Sequence, residues 1–133
     1  MREHIRKGRR GAHHDVPYRR MRGGLQPWLL LLLQQKPGYG YELLERLSKG
    51  EHAPDADSGF LYRTLRWLEE SGMVVSSWDT EGQGPARRLY EVTPEGIEYL
   101  HSWAANLRVM RQRFDHFLAE YEKIAEIEKE NRA

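Results

Sequence analysis

The sequence predicts a mainly α-helical chain with one small β hairpin and one very long C-terminal helix. Three observations carry that fold class. Leucines recur at helical spacing in three short segments between Leu25 and Gly72. The hydrophobic period then changes from about 3.6 to 2 across Met73–Val92, around a glycine-rich gap. From Leu100 onward, apolar residues return in alternating steps of three and four, which is the repeat of a helix packed along one stripe.

Residues 1–18 read as a disordered basic arm. Gly8, Gly11, Pro17 and repeated charges leave little to bury. Residues 1–24 hold eight cationic side chains against Glu3 and Asp15, a surplus of six, while the whole chain is only +1, so the rest is net acidic by five. A basic arm on an acidic body points to a polyanion partner; a solubilising tail is the plainer alternative. His4, His13 and His14 lie in this arm, and a metal needs ligands held in convergence, so no metal site is expected.

Residues 19–93 are expected to form one domain. LQPWLLLLLQQ (Leu25–Gln35) is rich in leucine, a helix former, carries Pro27 in its first turn and stops at Lys36–Pro37–Gly38. It reads as a buried central helix. Gly40–Ser48 follows as a second helix with Leu43, Leu44 and Leu47 inward. Asp57 or Ser58 caps a third helix that Gly72 ends. Its Leu61, Leu65 and Leu68 share the core face, and Tyr62, Arg63, Arg66 and Trp67 stand on the other. The second and third helices make a helix–turn–helix, and Met73–Trp78 and Ala86–Val92 make two strands flanking Asp79–Pro85, a wing. The glycines of that turn lack the GxxxxGK[ST] spacing of a phosphate-binding loop.

Thr93–Pro94 opens the last helix, expected over residues 94–130, with Thr93 as N-cap and Pro94 in the first helical position. Leu100, Trp103, Leu107, Met110, Phe114, Phe117, Tyr121 and Ile124 form its stripe. A helix of about 35 residues spans about 50 Å, too long for one small domain to cover. The expected cover is a second copy, with Leu100, Trp103, Leu107, Met110, Phe114, Phe117 and Tyr121 in a homodimer interface.

Composition narrows the function. The chain has no cysteine, which removes disulfides and thiol-ligated zinc and is compatible with a cytoplasmic location. The apolar run Trp28–Leu33 is far shorter than the ~20 residues a membrane span needs, and no signal peptide is expected. No GxSxG, HExxH or nucleophile–base cluster suggests an enzyme, and no cofactor motif is present. A short helix with leucines behind and Tyr62, Arg63 and Arg66 in front suits a DNA major groove, with Ser58 and Gly59 at its leading end. A helical dimer that binds another regulator is the competing reading.

Taken together, Gly40–Tyr41–Glu42, Gly59, Leu61–Tyr62, Leu65, Leu68–Glu69, Gly72, Arg87–Arg88 with Tyr90, and Thr93–Pro94–Glu95–Gly96 resemble the PadR-like transcriptional regulators. The resemblance is close over about residues 25–100 and covers the C-terminal helix in kind. It implies a winged helix–turn–helix domain, a C-terminal dimerisation helix and, usually, repression through operator DNA. It implies that Tyr41 and Tyr62 hold the DNA backbone and that Arg87 and Arg88 contact phosphate or the minor groove. It also implies that a small apolar or aromatic effector could stack on Trp103, against the simpler reading of Trp103 as interface packing. Tyr39 stands where members often carry His, and Phe60 where a small residue is usual.

Overall fold

The structure is a computed structural model that describes residues 24–50 and 54–132. The basic arm of residues 1–18, with His4, His13 and His14, lies outside the described residues. The elements are α1 (Leu25–Gln35), β1 (Gly38–Tyr39), α2 (Gly40–Lys49), α3 (Ser58–Glu70), β2 (Val74–Asp79), β3 (Arg87–Val92) and α4 (Pro94–Arg132). The sequence boundaries hold to within one or two residues, apart from β1. That pair of residues, which the sequence reads as a helix breaker and the next helix start, adds antiparallel to β3, with Gly38 opposite Tyr90 and Tyr39 opposite Leu89. The sheet order is therefore β1-β3-β2, and the wing hairpin is anchored at its base by the α1–α2 connection.

The core is mostly leucine. Leu25, Leu29, Leu30, Leu32 and Leu33 of α1 are buried, with Leu43 and Leu47 of α2 and Leu61, Leu65 and Leu68 of α3. Leu31 is exposed, so α1 is buried over most of its surface but not all of it. Arg46 of α2 donates to the Leu32 carbonyl at 2.9 Å and to Gln35 Oε1 at 3.2 Å. A guanidinium there adds a second donor to a carbonyl that already accepts the Lys36 N–H at 3.1 Å and complements the negative end of the α1 dipole.

One junction orients three elements. Gly72 takes φ 79° after α3, its N–H bonds to the Glu69 carbonyl at 3.0 Å, and the Met73 N–H reaches back to the Leu68 carbonyl at 2.8 Å. This double closure is a Schellman cap, and its left-handed residue favours glycine. Thr93 locks α4 onto it. The Thr93 N–H donates to the Met73 carbonyl at 3.0 Å, its hydroxyl donates to the Gly72 carbonyl at 2.7 Å, and Thr93 Oγ1 accepts from the Gly96 N–H at 3.0 Å as an N-cap.

The first turns of α4 then cross the domain. Tyr99 packs against Trp67 and edge-on against Trp103, each at 6.3 Å between ring centroids, and the Tyr99 hydroxyl donates to Gln26 Oε1 at 3.1 Å. Trp103 is 0% exposed and Leu100 is packed against the same core. Both were expected on the free stripe. Trp103 shares that helical face, but the domain of its own chain covers it, so the stripe open to a partner starts at Leu107. Beyond there Leu107, Phe114 (56%), Phe117 (65%), Tyr121 (55%) and Ile124 stand exposed and Met110 is half-buried.

Gly96 lies directly against the Met73 carbonyl; a Cβ there would overlap that backbone oxygen and Val92. Gly59, by contrast, faces only the Arg63 and Asp57 side chains at 3.4 and 3.5 Å. Gly96→Ala is expected to cost about 1–3 kcal/mol through overpacking against backbone, and Gly59→Ala to leave stability within about 0.5 kcal/mol. Thermal unfolding of the two variants side by side checks this; an equal melting temperature for both would sink the junction as a constraint.

Candidate nucleic-acid interface

The capped start of α3 sets the geometry. Asp57 Oδ1 accepts the Phe60 N–H at 2.8 Å, and Thr64 turns inward, donating to the Phe60 carbonyl at 2.8 Å. With Leu61, Thr64, Leu65 and Leu68 buried, the opposite side presents Ser58, Gly59, Tyr62, Arg63 and Arg66 to solvent. Trp67 is not on that side as the sequence suggested; it is half-buried and turned toward Tyr99. Gly40, at the start of α2, is buried beneath the Tyr62 ring, and a Cβ there would overlap the phenol. The Tyr62 ring closes over the start of α2 in the space that a residue without a side chain leaves there.

The wing divides its arginines. Neighbouring residues on a strand point to opposite faces, so Arg87 and Arg88 do not form the single patch that their adjacency suggests. Arg87 lies opposite Asp79 and Arg88 opposite Trp78. On one face the Arg87 guanidinium sits 4.1 Å over the Tyr39 ring. It donates to the Tyr41 hydroxyl at 2.8 Å and to the Tyr39 hydroxyl at 3.4 Å, and lies 3.8 Å from Asp79. Tyr39 and Tyr41 stack at 5.8 Å with their planes 3° apart, and the Tyr39 hydroxyl donates to the Asp79 carboxylate. That bond, with the Glu81 N–H, holds the Asp79 carboxyl below its ordinary range. The same bond, aided by partial burial, raises the Tyr39 phenol.

On the other face Arg88 lies 4.7 Å over the Trp78 ring and 4.0 Å from Glu69. Glu69 accepts from the Ser76 hydroxyl at 2.6 Å. Tyr90 sits at the back, its phenol raised by burial although the Arg88 charge pulls the other way. Tyr62, Arg66 and Glu69 from α3 and Trp78, Arg88 and Tyr90 from the wing enclose an open cleft of about 400 Å³.

The structure brings Tyr62, Arg66 and Arg88 to one cleft and ties Tyr41 to Arg87 in a second cluster beside it. Ser58, Gly59 and Arg63 lie along the leading part of α3. Tyr39, Glu69, Trp78 and Asp79 were not singled out from the sequence as site residues. Trp78 and Asp79 carried a readable signal, since hairpin register places them opposite Arg88 and Arg87. Tyr39 carried none, because a two-residue strand has no period. Among the described residues no group of His, Asp or Glu is placed to hold a metal, and no described helix is long and apolar enough to cross a membrane.

Comparison with known proteins identifies the family to which this fold belongs. The model of the transcriptional regulator PadR-like family matches residues 29–102, a span that runs from α1 through the anchored turns of α4. The chain belongs to this family. A solved protein described as a potential transcriptional factor is 36% identical, over 77% of this chain and 90% of its own, with a TM-score of 0.68. A PadR family regulator from Eggerthella lenta is 32% identical, over 67% of this chain and 79% of its own, with a TM-score of 0.59. Bacillus subtilis PadR, solved in complex with operator DNA, shares the fold at 23% identity and a TM-score of 0.56, over 60% of this chain and 46% of its own. The mainly α winged-helix fold read from the sequence is thus that of a family of transcriptional regulators.

The Tyr39–Asp79 bond makes a test of the Arg87 cluster. Tyr39 titrates high because its proton is held by a carboxylate, so Asp79→Asn should move the phenol down toward the ordinary tyrosine value near about 10. The aspartate side has the opposite sign. A depressed folded value means a stabilising contribution present above the unfolded carboxylate range and lost as pH falls through the folded value. Ring-resonance titration of Tyr39 by NMR reads the shift. An unchanged titration in Asp79→Asn would break the cluster as described.

Proposed function

We propose that this chain binds operator DNA as a homodimer and represses transcription. One observation carries the reading: α3 exposes Tyr62, Arg63 and Arg66 beside a wing that holds two arginines over aromatic rings. Arginine on a helix narrow enough for the major groove reads base edges, while wing cations held in fixed positions suit phosphates. The solved complex of B. subtilis PadR with operator DNA supports the same use of this fold. A dimer seated on a promoter would exclude polymerase, which favours repression, and such a regulator would act in the cytoplasm.

The dimer reading is supported by α4. Its 39 residues extend about 58 Å, and the exposed stripe from Leu107 through Ile124 keeps the heptad spacing of a helix pair. The net charge along distal α4 changes sign. Arg108, Arg111 and Arg113 precede Phe114, and after it Asp115, Glu120, Glu122, Glu126, Glu128 and Glu130 outnumber Lys123, Lys129 and Arg132. Two copies running antiparallel would set basic half against acidic half; a parallel pair would set like charge against like. An effector stacked on Trp103 finds no support, since that ring is closed inside its own chain. An interaction protein acting through the α4 stripe would account for the helix but not for the arginine-bearing face of α3 and the wing. Affinity for duplex that falls steeply with salt separates the two.

Arg63→Ala is expected to weaken binding to a selected operator by about 1–3 kcal/mol and to relax preference at one base pair. Titration of duplexes substituted one position at a time shows it; loss spread evenly over every duplex would move Arg63 from base reading to backbone contact.

For the dimer, each Phe→Ala change at a buried site costs about 3–5 kcal/mol, and a two-fold interface loses every contact twice. Phe114→Ala with Phe117→Ala is expected to give monomers by light scattering, with the winged domain still folded because neither side chain touches its core. A dimer of unchanged stability would rule this interface out.

A further inference from the structure

We propose that the cleft between α3 and the wing seats one DNA backbone phosphate between Arg66 and Arg88, and that Glu69 is a built-in competitor for Arg88 which tempers affinity for all DNA alike. This rests on the DNA-binding reading above and assigns a role to a carboxylate inside the binding surface. An acidic side chain facing a polyanion is unfavourable unless it does something else there.

The geometry is specific. Glu69 is fixed from behind, its Oε2 accepting from the Ser76 hydroxyl at 2.6 Å, so the carboxylate cannot swing away from the cleft without losing that bond. Its other oxygen stands 4.0 Å from Arg88 Nη1, with both side chains partly exposed. That is a loose, solvated pair, easily exchanged for a better acceptor. Arg88 is meanwhile kept over the Trp78 ring at 4.7 Å, which aims the guanidinium at the cleft whether or not Glu69 engages it. Arg66 lines the same cleft from α3, and Tyr62 and Trp78 offer flat walls to a deoxyribose. A phosphate accepts a guanidinium in bidentate fashion and binds more strongly than a single carboxylate oxygen at that distance. Arrival of the phosphate therefore transfers Arg88 from Glu69 to DNA, and the pair broken in the transfer subtracts from affinity. Because every duplex supplies phosphates, the subtraction is the same for operator and random sequence. It therefore lowers residence on non-specific DNA while leaving the base reading of α3 unchanged.

The test uses the full chain and fluorescent duplexes, one carrying a selected operator and one of random sequence. Glu69→Gln keeps the acceptor for Ser76 and removes the charge. A solvated pair of this kind corresponds to about a 1.5- to fivefold change per protomer. Glu69→Gln should therefore tighten binding to both duplexes by the same factor, and in an Arg88→Ala background the same change should give a clearly smaller gain, the part left by direct repulsion between the carboxylate and DNA. Should Glu69→Gln fold poorly by its melting curve, Glu69→Met, which keeps the stem and helix propensity, takes its place in the same cycle. Unchanged or weakened binding in the variant overturns the proposal, as does a gain confined to the operator or one that is undiminished without Arg88. Failure of the unaltered chain to bind either duplex would instead overturn the function proposed above, so the two failures are distinguishable.

Discussion

The arrangement of this molecule depends on the short stretch of backbone where α3 stops and α4 starts. Gly72 and Met73 close the C-terminus of α3 by two main-chain bonds, and the carbonyls of the same two residues then accept both donors of Thr93. A buried carbonyl left unpaired is costly, and Met73 is buried while Gly72 is exposed; the helix end and the helix start satisfy each other at both. The consequences run in three directions. The exit of α3 decides which of its faces meets the core, the strands leave and re-enter at one point, and α4 departs at an angle that lays Tyr99 and Trp103 across the domain. Gly96 completes the junction by letting α4 approach the Met73 carbonyl to a distance no side chain would allow.

From that scaffold, cations are presented to solvent without being left free to wander. A lysine or arginine on an open surface loses considerable side-chain entropy when it is fixed on a ligand. Here aromatic rings bear part of that cost in advance: Tyr39 beneath Arg87 and Trp78 beneath Arg88. The hydroxyls of Tyr39 and Tyr41 and the carboxylates of Asp79 and Glu69 set the direction of each guanidinium. Both arginines are thereby coupled to elements outside the wing: Arg87 to the start of α2 and Arg88 to the far end of α3. The position of the wing is thus held by the helix–turn–helix, in keeping with its pairing to β1.

The distal part of α4 presents a different problem. Its exposed aromatic and aliphatic side chains lie along one stripe on a helix that the domain cannot follow. Each would gain about 1.5–3 kcal/mol on full burial, and the net charge along the helix passes from basic to acidic. A contiguous apolar stripe of this length marks an interaction surface, and the self-association proposed above would cover it.

Much of this was legible in the residues alone. Helix existence, the wing, the Asp57 and Thr93 caps and the Gly72 stop are local properties: a capping oxygen acts within a turn, a left-handed position within one residue, and an apolar stripe within one element. The exposed faces of α3 and of distal α4 followed from the same periodicity. What the residues could not decide is anything set by contact between elements distant in sequence. The two-residue strand β1 exists only because β3 lies beside it, and through it Tyr39 comes to hold Asp79, a residue forty positions away. The parting of Arg87 from Arg88 follows the alternation of a strand, but which one faces α3 and Glu69 depends on how the sheet packs. Trp103 keeps perfect heptad register with Met110 and Phe117, yet it is buried in its own chain. Periodicity says which residues share a face, and only the tertiary structure says what that face meets.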